Sequence, residues 1–380
     1  MTATKYAVVG AGIVGVMTAL ELAKQGCQVT LYDGWEPGHN RAASSDHHRI
    51  TRSAHGSDEL YTRWQYESRL RWLELGREWG IELFRETGGL LLAETGNSVW
   101  EAAAFPILER LGIPAIRLSP DELAGRFPHM NFHRVEFGLY EPEAGFVWAR
   151  RALVRAFQEF LAQGGIFRLG RPTTDPSERL LLDGQPLKED RFIVATGAWM
   201  GQMYRRTLGS ILKVIRQDVI YTAPPPGSDR YHADNHPVWI DHGYPGYGIP
   251  DVEGCGFKAV IAWHETSIDL DSDDRVVDQG AMARSRQYLG YRFPELARQP
   301  IMDQKVCQIV MTPDTHFLLD FHPAHPDVIF AGGGSGAIFK HAPIVGEYVA
   351  GMATGRWLPD PRFTLTNRRV ISMSESPSGR

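Results

Sequence analysis

Short apolar runs that break on glycine alternate with longer stretches of helical spacing. Residues 6–9 form an apolar run, GAGIVG follows, and apolar positions then recur at helical spacing through Leu22. After Gly26 a second run, 28–32, ends on Asp33. The opening segment therefore predicts strand, turn, helix, strand. Residues 61–80 (YTRWQYESRLRWLELGREWG) carry Trp and Leu at helical spacing with charges between them, which predicts a helix with its tryptophans facing the core. A second amphipathic helix is expected over 148–164, closed by Gly164 and Gly165. Across 211–265 the period shortens: KVIRQDVIYT, HPVWIDHG, GYGIPDV and GFKAVIAWHE read as strands separated by turn residues. They predict a separate antiparallel sheet, suited to wall a ligand cavity.

Composition narrows the class. A chain of 380 residues has room for two domains or one large interleaved one. Its 43% apolar and 22% charged residues are ordinary for a soluble protein with a large core. A net charge of −5 and no basic run give no footprint for nucleic acid. Glycine or charge interrupts every apolar stretch before about 18 residues, so no membrane span is read. The N-terminus enters a strand at once, without the pattern of a secretory signal. Three cysteines, Cys27, Cys255 and Cys307, are too few for a disulfide framework or a four-ligand zinc site. A cytoplasmic monomer without a metal is expected.

The first unit carries chemistry. Gly10, Gly12 and Gly15 occupy the G-x-G-x-x-G positions, and Asp33 follows the last glycine by 18 residues. Such glycines allow a tight turn, close backbone approach to a pyrophosphate and close helix–strand packing, with the helix N-terminus facing the phosphates. An acid at the tip of the second strand can accept hydrogen bonds from ribose hydroxyls. NAD and FAD both fit this unit. A later run, 191–194, enters ATGAWM with Gly197, returning the chain to the first sheet after a long excursion, which favours a flavin. VIFAGGGSGAIFKHAP (328–343) reads as strand, glycine cluster and helix start, so Gly333, Gly334 and Gly336 can present backbone to a flat ligand.

GAGIVG with Asp33, RITRSAHG (49–56), GCGFK (254–258), CQIVMTPDTHFLLDFHP (307–323) and GGSGAIFKHAP (333–343) together resemble the monomeric sarcosine oxidase family. That family lies within the D-amino-acid-oxidase-like FAD enzymes, beside N-methyltryptophan oxidase. The resemblance implies an α/β chain in which an FAD-binding Rossmann-like domain (1–80, 145–210 and 303–365) is interleaved with an antiparallel-sheet substrate domain (81–144 and 211–302). A loose tail is expected over 366–380.

Site roles follow from the same resemblance. Cys307, at the head of its apolar run, corresponds to the cysteine that forms a thioether with the flavin 8α carbon. Arg49 and Ser44 are placed beside the flavin. Arg52 and Lys340 correspond to the cationic pair that holds a substrate carboxylate, and Lys258 to the lysine that activates oxygen. Tyr247 and His264 are the candidates for the substrate-site tyrosine and histidine. Two departures, Ser57 where the family has an acid and the block SSDHHR (44–49), imply an altered pocket and a bulkier or cyclic secondary amino acid. The expected function is an FAD-dependent oxidase of such an amino acid, with O2 as acceptor and H2O2 as product. A flavin dehydrogenase serving a protein or quinone, and a non-catalytic flavin-fold binder, remain as alternatives.

Overall fold

The structure is a computed structural model that describes residues 3–261, 268–366 and 368. A six-stranded sheet runs in the order Leu318–Phe321, Val328–Gly332, Arg191–Val194, Lys5–Val9, Gln28–Asp33 and Ile166–Leu169. Its strands are parallel except the edge strand Leu318–Phe321. Tyr6 through Val9 are buried without alternation, as expected for a central parallel strand covered on both faces. One face packs against the helices Ile13–Lys24, Glu59–Glu78, Ala149–Ala162 and Ala342–Ala353 in a single apolar core. The other face packs Ala7, Val9, Phe192 and Val194 against Met200, Tyr204 and Leu208 from the short helices after Arg191–Val194.

A second, eight-stranded sheet has the order Ile301–Met311, Lys213–Thr222, Phe257–Ile261, Gly246–Ile249, Val238–Asp241, Gly89–Glu94, Val135–Glu141 and Ile116–Leu118. All its neighbours are antiparallel except Val238–Asp241 against Gly89–Glu94. A small antiparallel sheet, His48–Thr51, Gly145–Trp148 and Phe84–Glu86, carries the RITR segment.

One expectation is corrected. The strand Ile301–Met311 pairs with Lys213–Thr222 along its length, so residues 303–311 belong to the second sheet rather than the nucleotide sheet. The chain rejoins the nucleotide sheet only at Leu318. The Thr-Pro-Asp turn between the two apolar runs passes from one sheet to the other. Cys307 accordingly sits in the middle of a strand and pairs with Gln217, not at a strand entry. Of the tail over 366–380, only Thr366 and Arg368 are described, and Arg368 is bonded to the body of the fold. Its guanidinium donates to Asp314 Oδ1 at 2.8 Å and to Phe317 O at 2.7 Å.

The helices named above confirm the core role of the stripe over 61–80, since Trp72 and Trp79 are buried. Trp72 does more than fill space: its Nε1–H donates to Lys340 O at 3.1 Å, fixing the backbone there.

Asp241, at the end of its strand, is buried with Arg292, whose Nε and Nη2 lie 2.8 and 2.7 Å from Asp241 Oδ2. Breaking such a pair strands one buried charge. Arg292→Met is therefore expected to lower stability by about 3–5 kcal/mol. Denaturant unfolding monitored by tryptophan fluorescence reads this directly, and a loss below 1 kcal/mol would show that the pair is dispensable.

Candidate active site

A cavity of about 930 Å3 runs from Gly10 and Asp33 past Gly197 to Lys258, Cys307 and Lys340. Its first end is built for a dinucleotide. Gly10 has φ +109°, and a Cβ there would lie 2.4 Å from Ala195 O, so only glycine lets the turn pass the neighbouring strand. The helix Ile13–Lys24 starts at Gly12, where an added Cβ would meet only Ser44 Oγ at 3.6 Å. That helix end therefore offers an open approach for phosphate. Asp33 accepts Ala11 N at 2.6 Å and Trp35 N at 3.0 Å, so its carboxylate already braces the glycine turn. Burial pushes the Asp33 carboxyl upward, against the pull of those N–H donors. Ser44 Oγ accepts Ile13 N at 3.2 Å, which makes it a brace for the helix start. Gly197, Gly333, Gly334 and Gly336 all line the same cavity. This cradle fits FAD.

The middle of the cavity is organised by a residue that sequence reading missed. Asp46 is buried and receives Arg49 Nη1 at 2.6 Å, Lys258 Nζ at 2.5 Å and Tyr221 OH at 2.5 Å. Burial alone would raise its carboxyl, but Lys258 and Arg49 outweigh it and hold the group well below the usual range. Lys258 also donates to His48 O at 3.2 Å, and burial lowers its ammonium from the ordinary lysine value despite Asp46. Arg49 Nη2 lies 3.7 Å from Cys307 Sγ, so one guanidinium connects the Asp46 cluster to the thiol. Burial pulls Arg49 down, but Asp46, the largest of the opposing groups, helps reverse the sign so that it is raised. The only sequence sign of Asp46 was its position three residues before Arg49, inside the departing SSDHHR block.

Farther along the cavity Arg52 and Lys340 are both buried, against the ordinary expectation for a basic residue at a loop or helix start. Arg52 donates through Nη1 to Ala54 O, and its guanidinium lies 5.0 Å over the Trp100 ring. Burial pulls it down to about 10, with Glu141 and Glu101 opposing. Glu141 accepts Ser53 N at 2.7 Å and Ala54 N at 3.1 Å, locking the backbone just after Arg52. Lys340 is pushed well below its ordinary value, first by burial and then by Arg52, with Glu141 opposing. Among the described residues its ammonium makes no hydrogen bond, and it lines the cavity. Tyr247 and the apolar side chains of Ile215, Val219, Ile240 and Ile309 line the same cavity. Burial raises the Tyr247 phenol.

The structure thus brings together Arg49, Arg52, Tyr247, Lys258, Cys307 and Lys340 around one cavity. His264 lies outside the described residues. Ser57 is exposed and does not line the cavity, so its difference from an acid says little about substrate room.

A family model described as FAD dependent oxidoreductase matches residues 5–352. The chain belongs to that family. This FAD dependent oxidoreductase is 30% identical to the human peroxisomal sarcosine oxidase over 90% of its own length and 89% of the relative's. It is 28% identical to the monomeric sarcosine oxidase of Streptomyces avermitilis, over 96% of this chain and 97% of that one. Its fold matches an L-proline dehydrogenase from P. horikoshii with a TM-score of 0.82 and 21% identity, covering 96% of this chain and 97% of that one.

The depressed Lys340 gives a pH signature. An anion bound beside it favours the charged form, so binding pulls a proton onto Lys340 when the free site has lost it. Affinity of the flavin-loaded oxidoreductase for a small carboxylate should therefore fall as pH rises below about 10, while Arg52 stays charged. Titration by flavin difference absorbance, with calorimetry in two buffers to count protons, checks this. An affinity flat with pH and without proton uptake would show that Lys340 does not meet the anion.

Proposed function

We propose that this protein oxidises a secondary or cyclic amino acid at its C–N bond, using FAD tethered to Cys307 and O2 as electron acceptor. The observation that carries the reading is the pair of buried cations, Arg52 and Lys340, at one end of a cavity whose middle holds Lys258. Bound FAD would supply the acceptor for a hydride from the carbon next to nitrogen and would hand both electrons to O2, so that amine and O2 give imine and H2O2. The chain's own residues do the rest. Arg52 can grip a carboxylate bidentately, Lys340 adds a point charge, and Trp72 and Glu141 hold the backbone of that pair still. Tyr247 and the aliphatic side chains of the same cavity offer an apolar wall suited to a ring or an N-substituent. Lys258 supplies positive charge where negative charge develops on oxygen, which favours an oxidase.

The relatives support the amine class by name: two are named for sarcosine, an N-methyl amino acid, and the structural neighbour for L-proline, a cyclic one. That neighbour is a dehydrogenase, so fold alone does not separate oxidase from dehydrogenase. Lys258 favours the first. Three free cysteines suit a cytoplasmic protein, and the name of the Streptomyces relative suits a monomer.

The purified yellow protein should bleach anaerobically with some of sarcosine, N-methyl aromatic amino acids, proline and pipecolate, then regain colour in air with release of peroxide. Bleaching only by amines without a carboxylate would sink the clamp, and bleaching without reoxidation by air would make the protein a dehydrogenase. The tether has its own check. Native Cys307→Ser should keep its flavin, but acid precipitation should release it to the supernatant, whereas the parent protein's pellet stays yellow. Flavin retained in the acid pellet of that variant would remove Cys307 as the attachment point.

A further inference from the structure

We propose that Asp46 is the positioning residue that fixes the Lys258 ammonium at the cavity wall and keeps it charged for the oxygen half of the reaction. The inference rests on the oxidase reading and names what makes its lysine work. Lys258 is 3% exposed, so its charge has lost most of its water. Two of its three N–H donors are satisfied, one by Asp46 Oδ2 at 2.5 Å and one by His48 O at 3.2 Å. The direction of the ammonium is thus set by two contacts from one short segment, leaving one donor for the cavity that Lys258 lines.

Among the described residues, Asp46 is the only carboxylate paired with Lys258. The other charged or titratable neighbours do not replace it. Arg49 is a cation, the buried His48 imidazole is held neutral by burial, and burial and Asp46 both push the Tyr221 phenol upward. Among the described residues, Cys307 is the remaining titratable group acting on Lys258, and it is the proposed tether. Asp46 in turn is saturated. Its Oδ1 accepts Tyr221 OH at 2.5 Å and His47 N at 2.8 Å, with Lys305 Nζ at 3.8 Å, while its Oδ2 takes Arg49 and Lys258. A carboxylate held from five sides is rigid, and what it holds is rigid with it.

Removing its charge leaves Lys258 buried beside a guanidinium with no counter-charge. Burial already lowers Lys258, and Asp46 is the first group opposing that fall. Without it the lysine loses its proton at lower pH, so the charge survives only on the acid side of the new value.

The test uses the FAD-loaded protein and separates the two half-reactions by stopped flow. Asp46→Asn should slow reoxidation by oxygen roughly ten-fold or more above neutral pH. The rate should recover toward the parental value as pH is lowered, whereas the parent is flat over that range. Reduction by substrate should change less. Sulfite, an anion that adds to oxidised flavin and is favoured by nearby positive charge, should lose affinity with the same pH dependence. Asp46→Glu keeps the charge, so it should retain a flat profile even at a reduced rate, and it serves as the test if Asp46→Asn does not fold. Lys258→Met is the control and should be slow at every pH. If Lys258→Met is slow but the loss in Asp46→Asn is absent or independent of pH, or if Asp46→Glu becomes pH-dependent, this inference is wrong while the oxidase reading stands. If Lys258→Met reoxidises at the parental rate, both fall together.

Discussion

Desolvation of positive charge is the constraint on which the site depends. Arg52, Lys258 and Lys340 are buried and Arg49 is half-buried around one cavity, where an unpaired ion costs several kcal/mol. Two of the buried carboxylates that answer, Asp46 and Glu141, differ in character. Asp46 contacts its cations directly, so Arg49 and Lys258 are pinned as a unit with Tyr221. Glu141 instead grips the backbone N–H groups of Ser53 and Ala54 and acts on Arg52 through its field. Among the described residues Lys340 pairs with no carboxylate, and burial and then Arg52 push it well below its ordinary value, with Glu141 opposing from a distance. The two buried lysines thus differ in kind: Lys258 is in direct contact with a counter-charge, and Lys340 is not.

Each sheet contributes one part of this arrangement. The parallel sheet ends in the glycine turns at Gly10, Gly197 and Gly333, which clear room for a flat dinucleotide. The eight-stranded sheet supplies Tyr247, Lys258 and Cys307 from three of its strands. The small sheet of His48–Thr51, Gly145–Trp148 and Phe84–Glu86 delivers Arg49 to the space between them, and Arg52 follows directly after its first strand. Trp72 reaches from the long helix Glu59–Glu78 to Lys340 O, so packing of that helix is coupled to the position of Lys340. Residues outside the cavity lining thus set the geometry of those that line it.

Sequence by itself determined the nucleotide unit, because its signals are local. A glycine needed for a tight turn, a helix beginning beside it and an acid at the next strand tip all lie within the first 33 residues. Helical spacing over 61–80 and the strand runs of 211–261 were likewise legible, since periodicity reports which face is buried. Family motifs marked Arg49, Arg52, Lys258, Cys307 and Lys340 as site residues. What only the tertiary structure decided was how their charges are balanced. Asp46 meets Lys258 across 212 residues and Trp72 meets Lys340 across 268, and no local pattern announces either contact. The same holds for the strand Ile301–Met311, whose partner sheet depends on where a turn sends the chain rather than on its apolar run. Burial of a charge and its compensation are properties of the assembled interior, so they exist only once distant segments have packed together.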